Sequence, residues 1–543
     1  MPRQVKVAVI GTGLAGLTAA YLLSNPDTQE SDVEFEVHLF EKASTLGMDC
    51  SSISCHGDAW RVDVPMRSFQ GGYYPQLIAL YKRLGVAFRE ADFSYSFSLM
   101  TPPTPTQERQ ITATMIYNGS SGLRGLSMPS ILDEPYRATK GRGCFVRAAT
   151  RAWTIGLFVL VTMQIAVCYV RMLLFALPFW RGKNVESKTF GEWAEETVPR
   201  SVLARWTGVD VAWRDYTQTV LLPLFSAVCT APGEDVLRHP VEEFLDYIWL
   251  TLGTHHYVVV HGVRDVVSKL TATARNIHLS STISSITPDP QDPRLAAIHC
   301  HTPQGPITYT GFHHIIMATQ ATRAIPLLTS YRDSLNHNHS KLQAVQRQIE
   351  CLEAFEYRDT VVVNHTDSTL LPDDPNDRRE LNLICIDKEP RAACQEKLWS
   401  STTVPSSYTM ATHVLRRPQG YPIHLSVVYQ TTNPIIPPRE ETVLSVAKLE
   451  RAVVTVKSKA ALKGLYREEG RRWWQCAGQG ACRMGELQGA GRLSNVQGPG
   501  LWICGSYAYA GIPLLEGCVV SARTVVEKGV RKAEGVKTRH EPW

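Results

Sequence analysis

Apolar and polar residues alternate between short and helical periods at the start of the chain. Residues 5–10 (Val-Lys-Val-Ala-Val-Ile) read as a strand, residues 14–23 as a helix and residues 33–40 as a second strand. The polar insert 25–32 between helix and second strand reads as a surface loop, as do 101–110 and 367–379, which are rich in proline or acidic residues. Residues 277–287 and 296–309 alternate as strands on either side of a turn at 288–293, and 312–318 reads as a buried strand. The polar residues from Arg531 onward predict a frayed tail. No internal repeat or low-complexity tract interrupts this pattern.

Residues 153–180 break the alternation. They are almost wholly apolar, with Gln164 and Arg171 as the exceptions, and long enough for a bilayer, which needs about 20 residues. A true span would put the N-terminal glycine motif and the C-terminal half of the chain on opposite sides of a membrane, although one site is expected to need both. The reading adopted is contact with one membrane leaflet, as a dipping helix or re-entrant hairpin; a buried core helix is the alternative. Arg151, Arg171, Arg181 and Lys183 flank or interrupt the run in a manner that suits lipid headgroups.

The first strand ends in Gly11-Thr-Gly13-Leu14-Ala15-Gly16, which opens the first helix. In such a turn Gly11 permits the tight bend, Gly13 lets a pyrophosphate approach the backbone, and Gly16 lets helix and strand pack closely. The helix N-terminus offers unpaired N–H groups and a positive dipole to phosphates. Glu41 ends the second strand, where an acid accepts hydrogen bonds from adenosine ribose hydroxyls. It lies about 30 residues after Gly11 instead of the usual ~20, and the polar insert supplies the difference. The order of strand, glycines, helix, strand and acid predicts a dinucleotide-binding unit.

Composition narrows the class. At 543 residues the chain exceeds one ordinary core, so two interleaved domains are expected. The formal charge of +5 is small for this length, and without a basic stripe it argues against nucleic acid as a partner. Thirteen cysteines occur without a C-x-x-C pair, which argues for reduced thiols in an intracellular protein, against a disulfide framework, and for no metal site. The first residues run directly into the strand, so no secretory signal is expected. Nothing in the sequence fixes an oligomeric state.

Further segments carry a family resemblance. The glycine motif followed by Glu41-Lys42-Ala-Ser-Thr-Leu-Gly47 resembles the superfamily of flavin-containing amine oxidases, phytoene desaturases and protoporphyrinogen oxidases. Val62-Asp63, Tyr74-Pro75-Gln76-Leu77 and Leu84-Gly85-Val86 are similar to its segment after the cofactor loop. Residues 257–270 resemble its strand, glycine turn and helix, and residues 277–283, ending at Ile283, the strand beside adenine. Residues 315–319 look like its returning strand. Leu501-Trp-Ile-Cys-Gly505-Ser-Tyr507, Gly511 and Glu516-Gly517 look like its flavin-closing segment, with a helix near Leu515 presenting its positive end to the flavin. The Tyr-Pro-x-Leu segment places the closest likeness with a subgroup of predicted FAD-binding proteins, some of them associated with lipid chains. The resemblance covers most of the chain outside 100–185 and 395–465 and implies FAD as cofactor. One departure stands out: where the family has a second glycine and then a basic residue or histidine, this chain has Met48 and Asp49. Added bulk and negative charge there predict a weakened pyrophosphate grip.

The expected fold is therefore α/β, a discontinuous Rossmann-like FAD domain (1–95, 236–330 and 471–530) interleaved with a sheet-plus-helix substrate domain. The latter comprises a helical region at 96–235 and a sheet at 331–470, and 531–543 forms the tail. The expected reaction is oxidation or desaturation of a small apolar, lipid-like or secondary-metabolite substrate by hydride transfer to flavin and then to oxygen, at a cytoplasmic membrane face. Flavin chemistry needs no obligatory protein nucleophile. Candidate substrate contacts are Tyr507 and Tyr509 at the flavin edge, and Arg67 and Tyr74 as a carboxylate anchor. His255, His256 and His261 are candidate acid–base groups. Amine oxidation, double-bond isomerisation, and a lapsed flavin-fold binding module at a membrane are the alternatives.

Overall fold

A computed structural model describes residues 2–25, 29–30, 33–55, 60–182, 184–335, 339–386, 402–418, 426–538 and 543. In the first strand, Arg3–Ile10, the side chains of Val5, Val7 and Val9 enter one core while Ala8 and Ile10 enter another on the opposite face. A strand buried on both faces belongs in a parallel sheet covered by helices. Five strands pair in parallel in the order Asn276–His278, Val33–Phe40, Arg3–Ile10, His314–Met317, Gly500–Ile503. In chain order these are the third, second, first, fourth and fifth strands of that sheet, so the order reverses beside the first strand, where open α/β sheets bind ligands. The helices Leu14–Ser24, Pro75–Arg83, Gly262–Leu270 and Leu515–Thr524 cover one face. A three-stranded antiparallel meander (Thr282–Pro288, Ala296–Thr302, Gly305–Phe312) and the helices Ala321–Asp333 and His339–Leu352 cover the other.

The second layer is an eight-stranded mixed sheet. Its order is Leu126–Ser127, Gln110–Tyr117, Tyr95–Thr101, Leu381–Ile386, Met410–Val414, Tyr429–Thr432, Glu356–His365, Val443–Val453. Only the third and fourth strands in that order, Tyr95–Thr101 with Leu381–Ile386, are parallel among its described pairings. The molecule is thus α/β, with a discontinuous Rossmann-like unit and interleaved sheet and helices. The predicted loop at 25–32 lies outside the described residues at 26–28 and 31–32, as do 387–401 and 419–425 of the expected substrate sheet.

The apolar segment forms one continuous helix, Cys144–Ala176, about 50 Å long at 1.5 Å per residue. It is neither a hairpin nor a core helix. Among its residues Thr154, Cys168, Met172 and Ala176 are buried, and the last three pack against Phe190, Trp193, Trp213 and Phe244. Strands on both sides of it in sequence share the five-stranded sheet, so a single bilayer crossing is inconsistent with the fold. The flanking arginines are also engaged by protein. Arg151 pairs with Asp133 (2.6 Å), Arg171 donates to the Thr197 carbonyl (2.7 Å), and Arg181 pairs with buried Asp246 (2.5 Å). Lys183 lies outside the described residues. The stretch after Arg531, expected to fray, is held instead: Arg531 is buried and donates to the Leu22 carbonyl (2.5 Å), and Lys537–Thr538 pairs with Gln29–Glu30. Residues 539–542 lie outside the described residues.

Candidate functional site

The glycine turn sits at the carboxyl end of the first strand. Gly11 adopts φ +95°, and a Cβ on it would meet the Ala318 carbonyl at 2.8 Å. A Cβ on Gly16 would lie 2.0 Å from the Gly11 carbonyl oxygen, so helix and turn touch there as the motif predicts. Gly13 differs: a Cβ there would meet nothing within 4 Å. Its open side faces a cavity of about 1250 Å³ that Leu14, Lys42, Gly47 and Met48 also line. The helix that starts at Leu14 has no side-chain N-cap, and its positive end meets the cavity at Gly13 and Leu14, with the Ala15 N–H directed at the Cys518 thiol. Ala15 itself is buried.

The same cavity reaches a second uncapped helix N-terminus, that of Leu515–Thr524, where Ser506, Leu514, Leu515 and Cys518 line it. Gly517 is required there because a Cβ would lie 2.7 Å from the Ser506 carbonyl. Gly505 is fastened through its N–H to Ser521 Oγ (3.0 Å), and Gly511 abuts the Tyr73 hydroxyl. Beyond this point the cavity runs along the eight-stranded sheet (Phe97, Met115, Leu381, Leu383, Ala411) to Ile165, Tyr169 and Met172 of the long apolar helix. Its size exceeds the 300–1,000 Å³ typical of a single small-ligand pocket.

Several predicted residues make hydrogen bonds within the protein. Glu41 holds the turn together: Oε2 accepts from Thr12 N (3.1 Å) and Oγ1 (2.6 Å), and Oε1 accepts from Ala43 N (3.0 Å). Thr12 Oγ1 in turn accepts from Gly47 N (2.7 Å). Ile283 follows Ser281, whose N–H donates to the Glu41 carbonyl (2.8 Å), and packs in the core behind it. Glu516 faces away from the cavity and caps another helix, accepting from Gln76 N and Leu77 N at 2.9 Å each. Burial raises its carboxyl to about 7 despite these bonds. The Tyr-Pro-Gln-Leu segment is thereby explained as a helix start with proline in the first turn and a carboxylate supplied from the far end of the chain.

Tyr507 and Tyr509 are absent from the cavity wall. Tyr507 is buried against Phe355 and Tyr357, and Tyr509 packs on Tyr466 and donates to the Gly478 carbonyl (3.3 Å). His261 is exposed at the start of Gly262–Leu270, and exposed His255 pairs with Asp92 (2.8 Å). Arg67, Tyr74 and His256 do line the cavity.

Asp49 and Met48 are both engaged by the protein. The Asp49 carboxylate accepts from Arg61 (2.7 and 3.1 Å) and Arg264 (3.2 Å), which neutralise it. Met48 is buried in the core under the first helix, and its carbonyl accepts from Arg67 Nη1 (2.7 Å). Met48→Gly is therefore expected to lower stability by roughly 2–5 kcal/mol, as other truncations of buried methionine do, and to leave cofactor affinity no higher. Denaturant unfolding and cofactor titration check the two arms.

Two residues that sequence reasoning passed over complete the wall: Arg451 and His413. Arg451 Nε is buried with no hydrogen-bond partner among the described residues, and burial draws both Arg451 and Arg67 below the usual guanidinium value. Both lie near Cys518, at the second helix N-terminus. Arg67 lies beside the Asp63 carboxylate, so Arg451, whose Nε is unpaired among the described residues, is the cation left for an anion. Arg451→Met is expected to stabilise the cofactor-free protein by about 1–3 kcal/mol and to weaken cofactor binding at least tenfold. Thermal unfolding and titration should thus move in opposite directions.

These features define a protein with a Rossmann-like dinucleotide unit opening into an apolar chamber. Residues 9–84 match a family described as an NAD(P)-binding Rossmann-like domain. No match was found among curated proteins. Among solved structures, the chain is similar to a protein assigned as a protoporphyrinogen oxidase from Exiguobacterium sp. 255-15. That pair is 13% identical, the alignment covers 96% of this chain and 98% of that one, and the TM-score is 0.49. An oxidoreductase from Methanosarcina mazei is 12% identical over 96% of this chain and 100% of that one, with a TM-score of 0.48. A redesigned putrescine oxidase double mutant is 12% identical over 97% and 99%, with a TM-score of 0.46.

Proposed function

We propose that this chain is an FAD-dependent oxidoreductase that oxidises or desaturates an apolar substrate. One observation carries the reading: a single cavity connects the glycine turn, two uncapped helix N-termini and an apolar sheet face. The residues fit an elongated dinucleotide with anionic character at two places. Gly13 leaves room for a pyrophosphate, the first helix offers it N–H groups, and Glu41, with three hydrogen bonds already accepted, keeps one acceptor site for a ribose hydroxyl. The second helix N-terminus, with Arg67 and Arg451, suits an electron-rich ring edge. When bound there, FAD supplies the hydride acceptor that the side chains lack. The chain's own part is to orient the substrate along Phe97, Leu381, Leu383 and Ala411 and to exclude water from it.

Arg67 and Arg451 bear on the alternatives. Arg67 is balanced by Asp63, but the positive charge of Arg451 on the chamber wall opposes a protonated amine, which favours oxidation of a carbon skeleton over amine oxidation. The pairing of Asp49 with Arg61 and Arg264 weighs against a lapsed cofactor site.

The proposal extends to a lipid surface at the cytoplasmic face. The long helix exposes Trp153, Leu160, Met163, Val167, Val170 and Leu174 on one side, and the helix Val202–Thr207, joined to it through Val209–Tyr216, exposes Val202, Leu203 and Trp206. Exposed Lys140, Arg142 and Arg205 provide cations for headgroups. The opposite side of the long helix lines the chamber through Ile165, Tyr169 and Met172, so substrate drawn from lipid reaches the site along one element. Anaerobic mixing of the flavin-loaded protein with fractionated membrane lipids and with amines tests the reading. Bleaching by a lipid fraction is the expected result, and bleaching by amines alone overturns the choice of substrate class.

A further inference from the structure

The chamber is apolar along most of the eight-stranded sheet, yet one part of its wall carries polar side chains from two sheets. In the three-stranded sheet formed by Ser68–Gln70, His256–Val259 and Phe88–Glu90, Gln70 and His256 are directly opposed across antiparallel strands. In the eight-stranded sheet His413 is opposed to Gln430. All four line the cavity, and the ring of Phe93 meets both imidazoles edge-on, at 5.6 Å from His256 and 5.7 Å from His413.

Gln430 is committed to the protein: Oε1 accepts from Met66 N, and Nε2 donates to the Asp63 carbonyl (3.0 Å) and to Asn364 Oδ1 (2.9 Å). The other three are not. Gln70 Oε1 and His413 Nδ1 are buried with no hydrogen-bond partner among the described residues. Leaving such an atom unpaired costs about 1–3 kcal/mol, a cost that a bound polar group removes. Asp92 is the nearest carboxylate, and it is occupied by His255 (2.8 Å), the His256 backbone N–H (3.1 Å) and Ser120 (3.3 Å).

We propose that Gln70, His256 and His413 form a neutral polar subsite that holds an uncharged oxygen group, a hydroxyl or carbonyl, on an otherwise apolar ligand. The inference deepens the oxidoreductase reading and depends on it for treating that ligand as the substrate. Burial lowers both imidazoles to about 4, so at neutral pH each presents one N–H donor and one lone pair. The glutamine amide likewise offers both kinds of group. A hydroxyl can donate to one of these and accept from another. An ammonium group brings a charge that no free carboxylate in this part of the wall balances, and an alkyl terminus leaves the buried acceptors unpaired. Sites built to hydrogen-bond a ligand discriminate against analogues that lack the group.

The test uses the full chain in mild detergent, with Nile red as a displaceable reporter and 1-decanol, 2-decanone and decylammonium as probes of equal chain length. Decanol and decanone are expected to displace the dye at concentrations at least tenfold lower than decylammonium. His413→Phe and His256→Phe should each shrink that ratio to within about threefold, while His413→Asn, which keeps a donor and an acceptor, retains it. Equal potency of decylammonium on the unaltered chain, or an unchanged ratio in both phenylalanine variants, overturns the subsite. Flavin absorbance of the same samples separates the two levels of argument. A yellow protein without discrimination defeats the subsite alone, and a colourless protein that still discriminates defeats the oxidoreductase reading and leaves the subsite standing.

Discussion

Gly13→Leu is expected to abolish flavin retention in a protein that still folds, whereas Gly16→Val is expected to destabilise the fold as well. Both residues belong to one motif, and the structure separates their roles. Gly13 has φ −67° and ψ 177°, a conformation open to any residue, and its missing side chain points into free space. Leucine there costs about 1 kcal/mol as a poor N-cap but fills the space proposed for a pyrophosphate, so affinity is expected to fall at least a hundredfold. At Gly16 a Cβ would stand 2.0 Å from the Gly11 carbonyl, well inside contact distance. The first helix must then leave the sheet, and a loss of roughly 3–5 kcal/mol is expected, in the range of severe overpacking. Urea unfolding with parallel measurement of bound flavin resolves the two cases. Equal flavin content in Gly13→Leu and the unaltered chain contradicts the placement of the cofactor.

The second large effect is expected at the membrane. Leu160 and Met163 are 57% and 60% exposed on the same stripe of the long helix, three residues apart. Burying each in lipid contributes about 1.5–3 kcal/mol, and a carboxylate in its place adds a desolvation cost. The double substitution Leu160→Asp, Met163→Asp should therefore release the protein from vesicles of phosphatidylcholine and phosphatidylserine by at least about a hundredfold in partition coefficient. The eight-stranded sheet and the glycine turn lie elsewhere, so flavin content should be unchanged. Unaltered co-sedimentation with vesicles removes the lipid-surface part of the proposal.

The cofactor end was legible in the sequence because its signals are local. Strand, glycine turn and helix fall within the first 24 residues, and each glycine's role follows from its distance to a neighbour a few residues away or on the adjoining strand. Glu516 was legible as a first-turn acid but not in its task, since its partners Gln76 and Leu77 lie about 440 residues earlier in the chain. His413 gave no signal at all. It is one histidine on a five-residue strand, and only the pairing of strands far apart in sequence brings it to the same ring, Phe93, as His256. Arg451 was hidden in the same way, within a long strand where alternation predicts nothing about which arginine lacks a partner. Arg171 and Arg181 illustrate the converse. Their spacing along an apolar run suggested headgroups, while folding delivered the Thr197 carbonyl and Asp246 to them.

The most direct measurement is the absorbance spectrum of the full chain purified in mild detergent, before and after dithionite. Paired flavin bands in the blue and near-ultraviolet that bleach on reduction are the predicted result. A colourless protein that takes up no added FAD contradicts the account.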